Sequence, residues 1–227
     1  MTSTVPPLRR PSPAARAARK DRVLTWVTLS IAAVICLVLG FGAVAMANSW
    51  WTEEAPVASA DQQLPDGQSR FDQAGLDFLN RQGHATVDVT ASASASELGL
   101  PTAGQTPIDT LVPISLEVRG DASSLEFNGV SRFELTTSDD IVTRVQVIPA
   151  ASGSWTSISS ELGSRAAQWG WSQAQLDALR EQVGDAARSE GTASTLSLPT
   201  VTYGGMSITA QVTASDGTLS LAYNIGQ

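Results

Sequence analysis

Residues 206–225 read MSITAQVTASDGTLSLAYNI. Met206, Ile208, Ala210 and Val212 alternate with Ser207, Thr209, Gln211 and Thr213. After Asp216-Gly217, Leu219, Leu221, Tyr223 and Ile225 alternate with Ser220, Ala222 and Asn224. Period two on both sides of an Asp-Gly pair predicts two strands, each with one buried and one solvated face, joined by a tight turn that accepts a left-handed backbone. Such one-sided strands have the antiparallel habit.

The same pattern recurs upstream. Val87, Val89 and Ala91 alternate with Thr86, Asp88 and Thr90, and Ile114, Leu116 and Val118 with Ser115, Glu117 and Arg119. Phe133 and Leu135 alternate with Arg132 and Glu134, and Ile141, Val145 and Val147 with Val142, Arg144 and Gln146. Ser138-Asp139-Asp140 and Gly204-Gly205 supply turn chemistry between runs. Between the two strand groups the period changes. Trp155, Ile158, Leu162, Ala166 and Trp169 form one helical stripe, ended by Gly170. A second helix opens with Ser172 as N-cap, Gln175 completing a capping box and Trp171 placed to staple onto Leu176. Leu176, Leu179, Val183 and Ala186 continue its stripe, and Gly191 can end it. A further helix over Phe71–Leu79 would have to carry Gly75. The expected fold is α+β: an antiparallel β-meander sheet with an inserted helical hairpin packed on one face, over residues 69–227.

Residues 196–224, LSLPTVTYGGMSITAQVTASDGTLSLAYN, are similar to the last strands of bacterial envelope lipid-binding domains. The likeness is confined to that meander, carries no specific motif and implies no site residue.

Ahead of this domain the chain changes character. Val23 to Ala47 contains no charged residue. A helix that long, at about 1.5 Å per residue, exceeds the roughly 30 Å hydrocarbon core of a bilayer. Trp26 near one end and Trp50-Trp51 beyond the other read as interfacial belts. Residues 1–22 carry six basic residues against Asp21 alone, whereas the rest of the chain sets eight arginines against 21 acids. By the positive-inside rule the tail 1–22 is cytoplasmic and disordered, residues 23–47 are a transmembrane helix, 48–68 are a linker, and the domain 69–227 is extracytoplasmic. The competing reading is a cleaved leader, because Ala45-Met46-Ala47 fits the small-x-small pattern; the length of the apolar run favours an anchor. Cys36 follows Val34-Ile35, a poor lipobox, and reads as a small apolar helix residue. Lys20 is the only lysine against 13 arginines, a bias of high-GC bacterial coding.

An outer domain this acidic disfavours nucleic acid, whose phosphates need clustered cations. Cys36 as the single cysteine gives the outer domain no disulfide. His84 is the single histidine, so a Ser-His-Asp relay would have to use it; parity sets it with Thr86 and Asp88 on the solvated face. Asp139-Asp140 and Asp216-Gly217 fit turns better than calcium loops. Trp155, Trp169 and Trp171 fit a helical core better than an exposed sugar or peptide platform. These residues predict no catalytic, cofactor or metal site. The expectation is a membrane-anchored envelope protein whose non-catalytic outer domain binds or scaffolds another envelope protein or a cell-wall component. The alternative is a carrier or sensor of an apolar lipid ligand in the cleft between sheet and helices, and a carboxylate hydrolase ranks behind both.

Overall fold

The computed structural model describes residues 26, 27, 29–31, 33–36 and 58–227, apart from 91, 92, 152, 189–192 and 216. The chain divides into two units, Met1–Ala55 and Pro56–Gln227. In the first, the described residues are helical, and Trp26, Val27, Leu29, Ile31, Val34 and Ile35 are exposed. Among the described residues no helix is long and apolar enough to cross a membrane. The tail 1–22 and most of the predicted span 23–47 lie outside the described residues, as do Gly191 and Asp216.

The second unit is mixed α+β, a large sheet with three helices among the described residues. In chain order it runs α1 (Gln73–Gln82), β1 (His84–Asp88), β2 (Gly104–Arg119), β3 (Ser124–Ser138), β4 (Ile141–Ile148), α2 (Trp155–Trp169), α3 (Gln173–Arg188), β5 (Ser194–Ser197), β6 (Val201–Tyr203), β7 (Met206–Ser215) and β8 (Thr218–Gly226). The strands lie in the order β1-β2-β3-β4-β8-β7-β5, with β6 also pairing β7. The period-two hairpin forms with Ser215 opposite Thr218 and Ile208 opposite Ile225. Its second strand then joins the first group, Val145 opposite Ile225 and Val147 opposite Tyr223. Met206, Ile208, Ala210, Val212, Leu221, Tyr223 and Ile225 are all buried, as the alternation requires. α1 packs on β1 and β2, α2 on β6 and β8, and α3 on β5 and β7. Their inward residues join those of the strands in one continuous apolar cluster.

Three features depart from the alternation. First, the sheet is not wholly antiparallel: β1 pairs parallel with β2, His84 opposite Ser115 and Asp88 opposite Arg119. The connection 89–103 makes this possible, since parallel neighbours need a crossover of about a dozen residues or more. It buries Ala95, Leu98 and Leu100 on the way. Second, the outward face of β1 is partly buried, His84 and Asp88 being half-buried at its ends. Thr86, expected on the wet side, is only 2% exposed. The segment before α1 lies along the free edge of β1: Ser69 N–H donates to Thr86 O at 2.9 Å, and Thr86 N–H to Ser69 Oγ at 2.9 Å. Asp88 N–H reaches Gln68 Oε1 at 3.2 Å. An edge strand is thereby shielded from pairing with another chain. Third, in β4 the buried residue is Val142, whereas Ile141 is half-buried. Thr136 pairs with Arg144 but Thr137 with Val142, so Thr143 is an inserted residue that reverses the parity.

A larger bulge interrupts β2 between Asp109, opposite Arg132, and Ile114, opposite Val130. It leaves Leu111 87% exposed, with its N–H given to Asn80 Oδ1 at 2.8 Å. At the start of α1, Asp72 is the N-cap and accepts from Gly75 N–H at 3.0 Å. A Cβ on Gly75 would stand 2.1 Å from Arg70 O, so the glycine that argues against a helix is the residue that lets its first turn close.

Candidate functional site

The helical hairpin is assembled by local chemistry. Ser154 caps α2, its Oγ accepting from Ser157 N–H at 3.3 Å, and Gly170 ends that helix at φ +89°. Ser172 Oγ accepts from Gln175 N–H at 3.3 Å while Gln175 Oε1 accepts from Ser172 N–H at 2.8 Å. This is the reciprocal capping box the sequence predicts. Trp171 sits buried between the helices and donates its indole N–H to Pro199 O at 2.8 Å.

The two flanks of α2 differ. One carries Arg165 over three aromatic rings. Its guanidinium carbon lies 4.5 Å from the Phe127 centroid, 5.0 Å from that of Trp169 and 5.7 Å from that of Tyr223. Arg165 Nε donates to Glu161 at 2.6 Å and Nη1 to Glu126 O at 3.3 Å. Beneath it, Trp169 packs at 5.1 Å from Tyr223, 5.4 Å from Trp171 and 6.1 Å from Phe127. Burial raises the Tyr223 phenol above its ordinary value, and the nearby Glu161 charge adds to that. The Trp169 indole N–H is buried without a hydrogen-bond partner among the described residues. This flank is packed, and the guanidinium acts as part of the wall.

The other flank faces α3 across an open cleft of 320 Å³. Trp155, Leu162 and Leu176 make its apolar lining, and Thr156, Ser159, Gly163, Gln173, Asp177 and Arg180 complete it. Leu162 is fully buried, while Trp155 and Leu176 are partly buried against the core. A Cβ built on Gly163 would meet no heavy atom within 4 Å. Asp177 accepts from Gln173 Nε2 at 3.0 Å. A second concavity of 290 Å³ lies among Thr143, Arg144, Thr200, Ser207, Thr209, Gln211 and Asn224, and its lining is mostly polar.

The residues singled out from sequence do not converge. His84 Nε2 lies 3.1 Å from Thr86 Oγ1, and Thr86 Oγ1 lies 3.5 Å from Glu117 Oε2, at the limit of a hydrogen bond. Arg119 donates to Glu117 at 2.9 Å, and that bond holds the Glu117 carboxyl below its ordinary value. The acid meets the hydroxyl and not the imidazole, and the hydroxyl belongs to a buried residue. In a nucleophilic triad the acid instead orients the base. Asp139 and Asp140 form the β3–β4 turn, both at positive φ. Asp140 accepts from Ser96 N–H at 2.9 Å and Ser96 Oγ at 3.1 Å. Of the hairpin tryptophans, Trp169 and Trp171 are in the core and Trp155 borders the cleft. Gly163 and Arg180 were not singled out: a glycine inside a helical stripe and an arginine on its wet face carry no signal until the neighbouring helix is in place.

Comparison of the chain with protein-family models, with curated proteins and with solved structures finds no match.

Proposed function

We propose that this chain is a single-pass membrane-anchored envelope protein whose outer domain is a non-catalytic binding module, with the α2–α3 cleft as its contact site. The tail 1–22 is cytoplasmic, residues 23–47 span the bilayer, and the domain that follows is extracytoplasmic. The basic tail, the uncharged run and the flanking tryptophans support the topology. So does the exposure of Trp26, Val27, Leu29, Ile31, Val34 and Ile35 along one short stretch, an apolar surface that water would not favour. The partner is another envelope protein or a cell-wall component.

The observation that carries the binding role is the cleft: an apolar floor with a polar rim, at the lower end of the roughly 300–1,000 Å³ range of ligand pockets. A carrier that holds lipid between sheet and helices would need inward side chains lining a hollow. Those side chains instead form one buried cluster, which supports a surface contact over an internal cargo.

Two experiments test this. Added protease should remove the outer domain from intact protoplasts while a tag on the tail stays protected; soluble mature protein beginning at Asn48 would overturn the topology. A photo-crosslinking residue at Ser159, on the cleft rim, should capture a discrete envelope component in intact cells. The same residue at Thr195 on β5 should not. Equal capture at both positions would remove the cleft from the reading.

A further inference from the structure

The arginines of the outer domain fall into two groups. Arg70, Arg119, Arg132, Arg165 and Arg188 pair with Asp72, Glu117, Asp109, Glu161 and Asp185. Arg81 donates to Asp77 O at 3.2 Å. Arg144 and Arg180 have neither an ion pair nor a side-chain hydrogen bond among the described residues, and each lines one of the two concavities. With 21 acids after residue 22, a guanidinium with neither a carboxylate nor a carbonyl partner is the exception on this surface.

In the α2–α3 cleft that free cation faces an apolar lining and a missing side chain. Gly163 lies inside α2, where glycine costs about 1 kcal/mol relative to alanine. No positive φ requires it, and no neighbouring atom would collide with a Cβ. What it provides is room beside Trp155, Leu162 and Leu176. Charge is limited as well. Asp177 shares the lining and is held by Gln173, so one positive and one negative group face the space. That balance suits a single carboxylate at Arg180 better than a dianion. Arginine presents a planar fork that matches a carboxylate in two parallel hydrogen bonds.

We infer that the cleft binds a compact apolar group bearing one carboxylate, with the apolar group packed over Gly163 against Trp155 and Leu176 and the carboxylate on Arg180. This rests on the cleft being the contact site and adds the chemistry it reads. Two sources carry that chemistry: the C-terminal residue of a partner peptide, or a free aryl or short-chain acid.

The test is calorimetric titration of the full-length chain in nanodiscs. N-acetyl-leucine represents the peptide terminus and phenylacetate the free acid; N-acetyl-leucinamide and phenylacetamide are their neutral counterparts. Probes of about a dozen heavy atoms support low-millimolar binding. The acids should bind saturably and their amides about tenfold more weakly, as expected for loss of one charge-assisted contact. Preference for N-acetyl-leucine assigns the peptide source, and preference for phenylacetate the free acid. Arg180→Gln, an exposed change that leaves the fold intact, should bring each acid down to its amide. Gly163→Leu should abolish binding of all four while preserving helix content. Failure of both acids to saturate, equal binding of acids and amides, or acid binding unchanged in either variant would overturn the inference. Should the probes bind as expected while crosslinking from Ser159 captures nothing in cells, the partner reading fails and the carboxylate site stands.

Discussion

Trp169 offers the sharpest test of how the hairpin is held to the sheet. The ring is 2% exposed and packs on Phe127, Trp171 and Tyr223, with the Arg165 guanidinium 5.0 Å from its centroid. Trp169→Ala removes that ring from a close-packed site and should cost about 3–5 kcal/mol, as for large aromatic truncations in cores. Against a total stability of roughly 5–15 kcal/mol this is a large fraction. At about 2–4 °C per kcal/mol for a domain of this size, the melting temperature should fall by roughly 6–20 °C. Trp169→Phe separates ring from donor. The indole N–H is buried without a partner, and an unsatisfied buried donor costs about 1–3 kcal/mol. Phenylalanine removes that penalty but leaves a smaller ring and a void, so the two effects largely offset. The net change should lie within about 1.5 kcal/mol, the range of tolerated core exchanges. Thermal melting of the full chain by far-ultraviolet circular dichroism, with both variants side by side, makes the measurement. A Trp169→Phe variant as damaged as Trp169→Ala would refute the offset. An unchanged melt for Trp169→Ala would place the ring outside the core.

Three further outcomes are expected. Ser172→Ala removes the Oγ that accepts from Gln175 N–H at the start of α3, leaving the backbone N–H of residue 172 to Gln175 Oε1, and should cost about 0.5–2 kcal/mol in a urea titration. In the β3–β4 turn, Asp139→Gly relieves a left-handed backbone at φ 53° and should leave the midpoint unchanged or raised; Asp140→Ala loses both bonds to Ser96 and should lower stability by about 1–3 kcal/mol. The Asp72 carboxyl is held below its ordinary value of 3.8, first by the Gly75 N–H and then by Arg70. Its folded pKa being the lower one, its contribution is present above the unfolded value and is lost as pH falls through the folded value. Asp72→Asn keeps a capping side chain but not the titration, so its acid limb below about pH 4 should be shallower in pH-dependent melting; a parallel limb would exclude Asp72 as a contributor.

The strands and both hairpin helices were legible because each obeys a period that burial imposes locally. Ile158, Leu162, Ala166 and Trp169 are buried as their spacing requires, and so are the inward residues of β7 and β8 apart from Leu219, which is half-buried. Period two says which face is dry, but it is silent on direction, so the parallel β1–β2 pair was hidden. It is also silent on what lies along an edge, so the burial of Thr86 is hidden: the segment beside it, Gln68-Ser69, has no apolar pattern of its own. The alternation sets Val142 outward, whereas one inserted residue, Thr143, shifts parity without leaving a glycine or proline to mark it. The cleft was illegible for a different reason. It is a property of two helices together, and its two most informative residues are one that has no side chain and one that has no partner.

The place of β8 sets a timetable for synthesis. This strand lies between β4 and β7, and Gln146 donates to Asn224 across 78 residues of sequence. At roughly 5–20 residues per second, β4 is complete some 4–16 s before its neighbour has been made. For that interval the interior of the eventual sheet is an open margin, with Val145 and Val147 awaiting Ile225 and Tyr223. Whatever receives the chain as it emerges must tolerate or guard a half-built sheet. A ribosome that stops at Ser215, before β8 is made, would release a chain with two unpaired strand edges at the centre of its sheet instead of one domain with a frayed end.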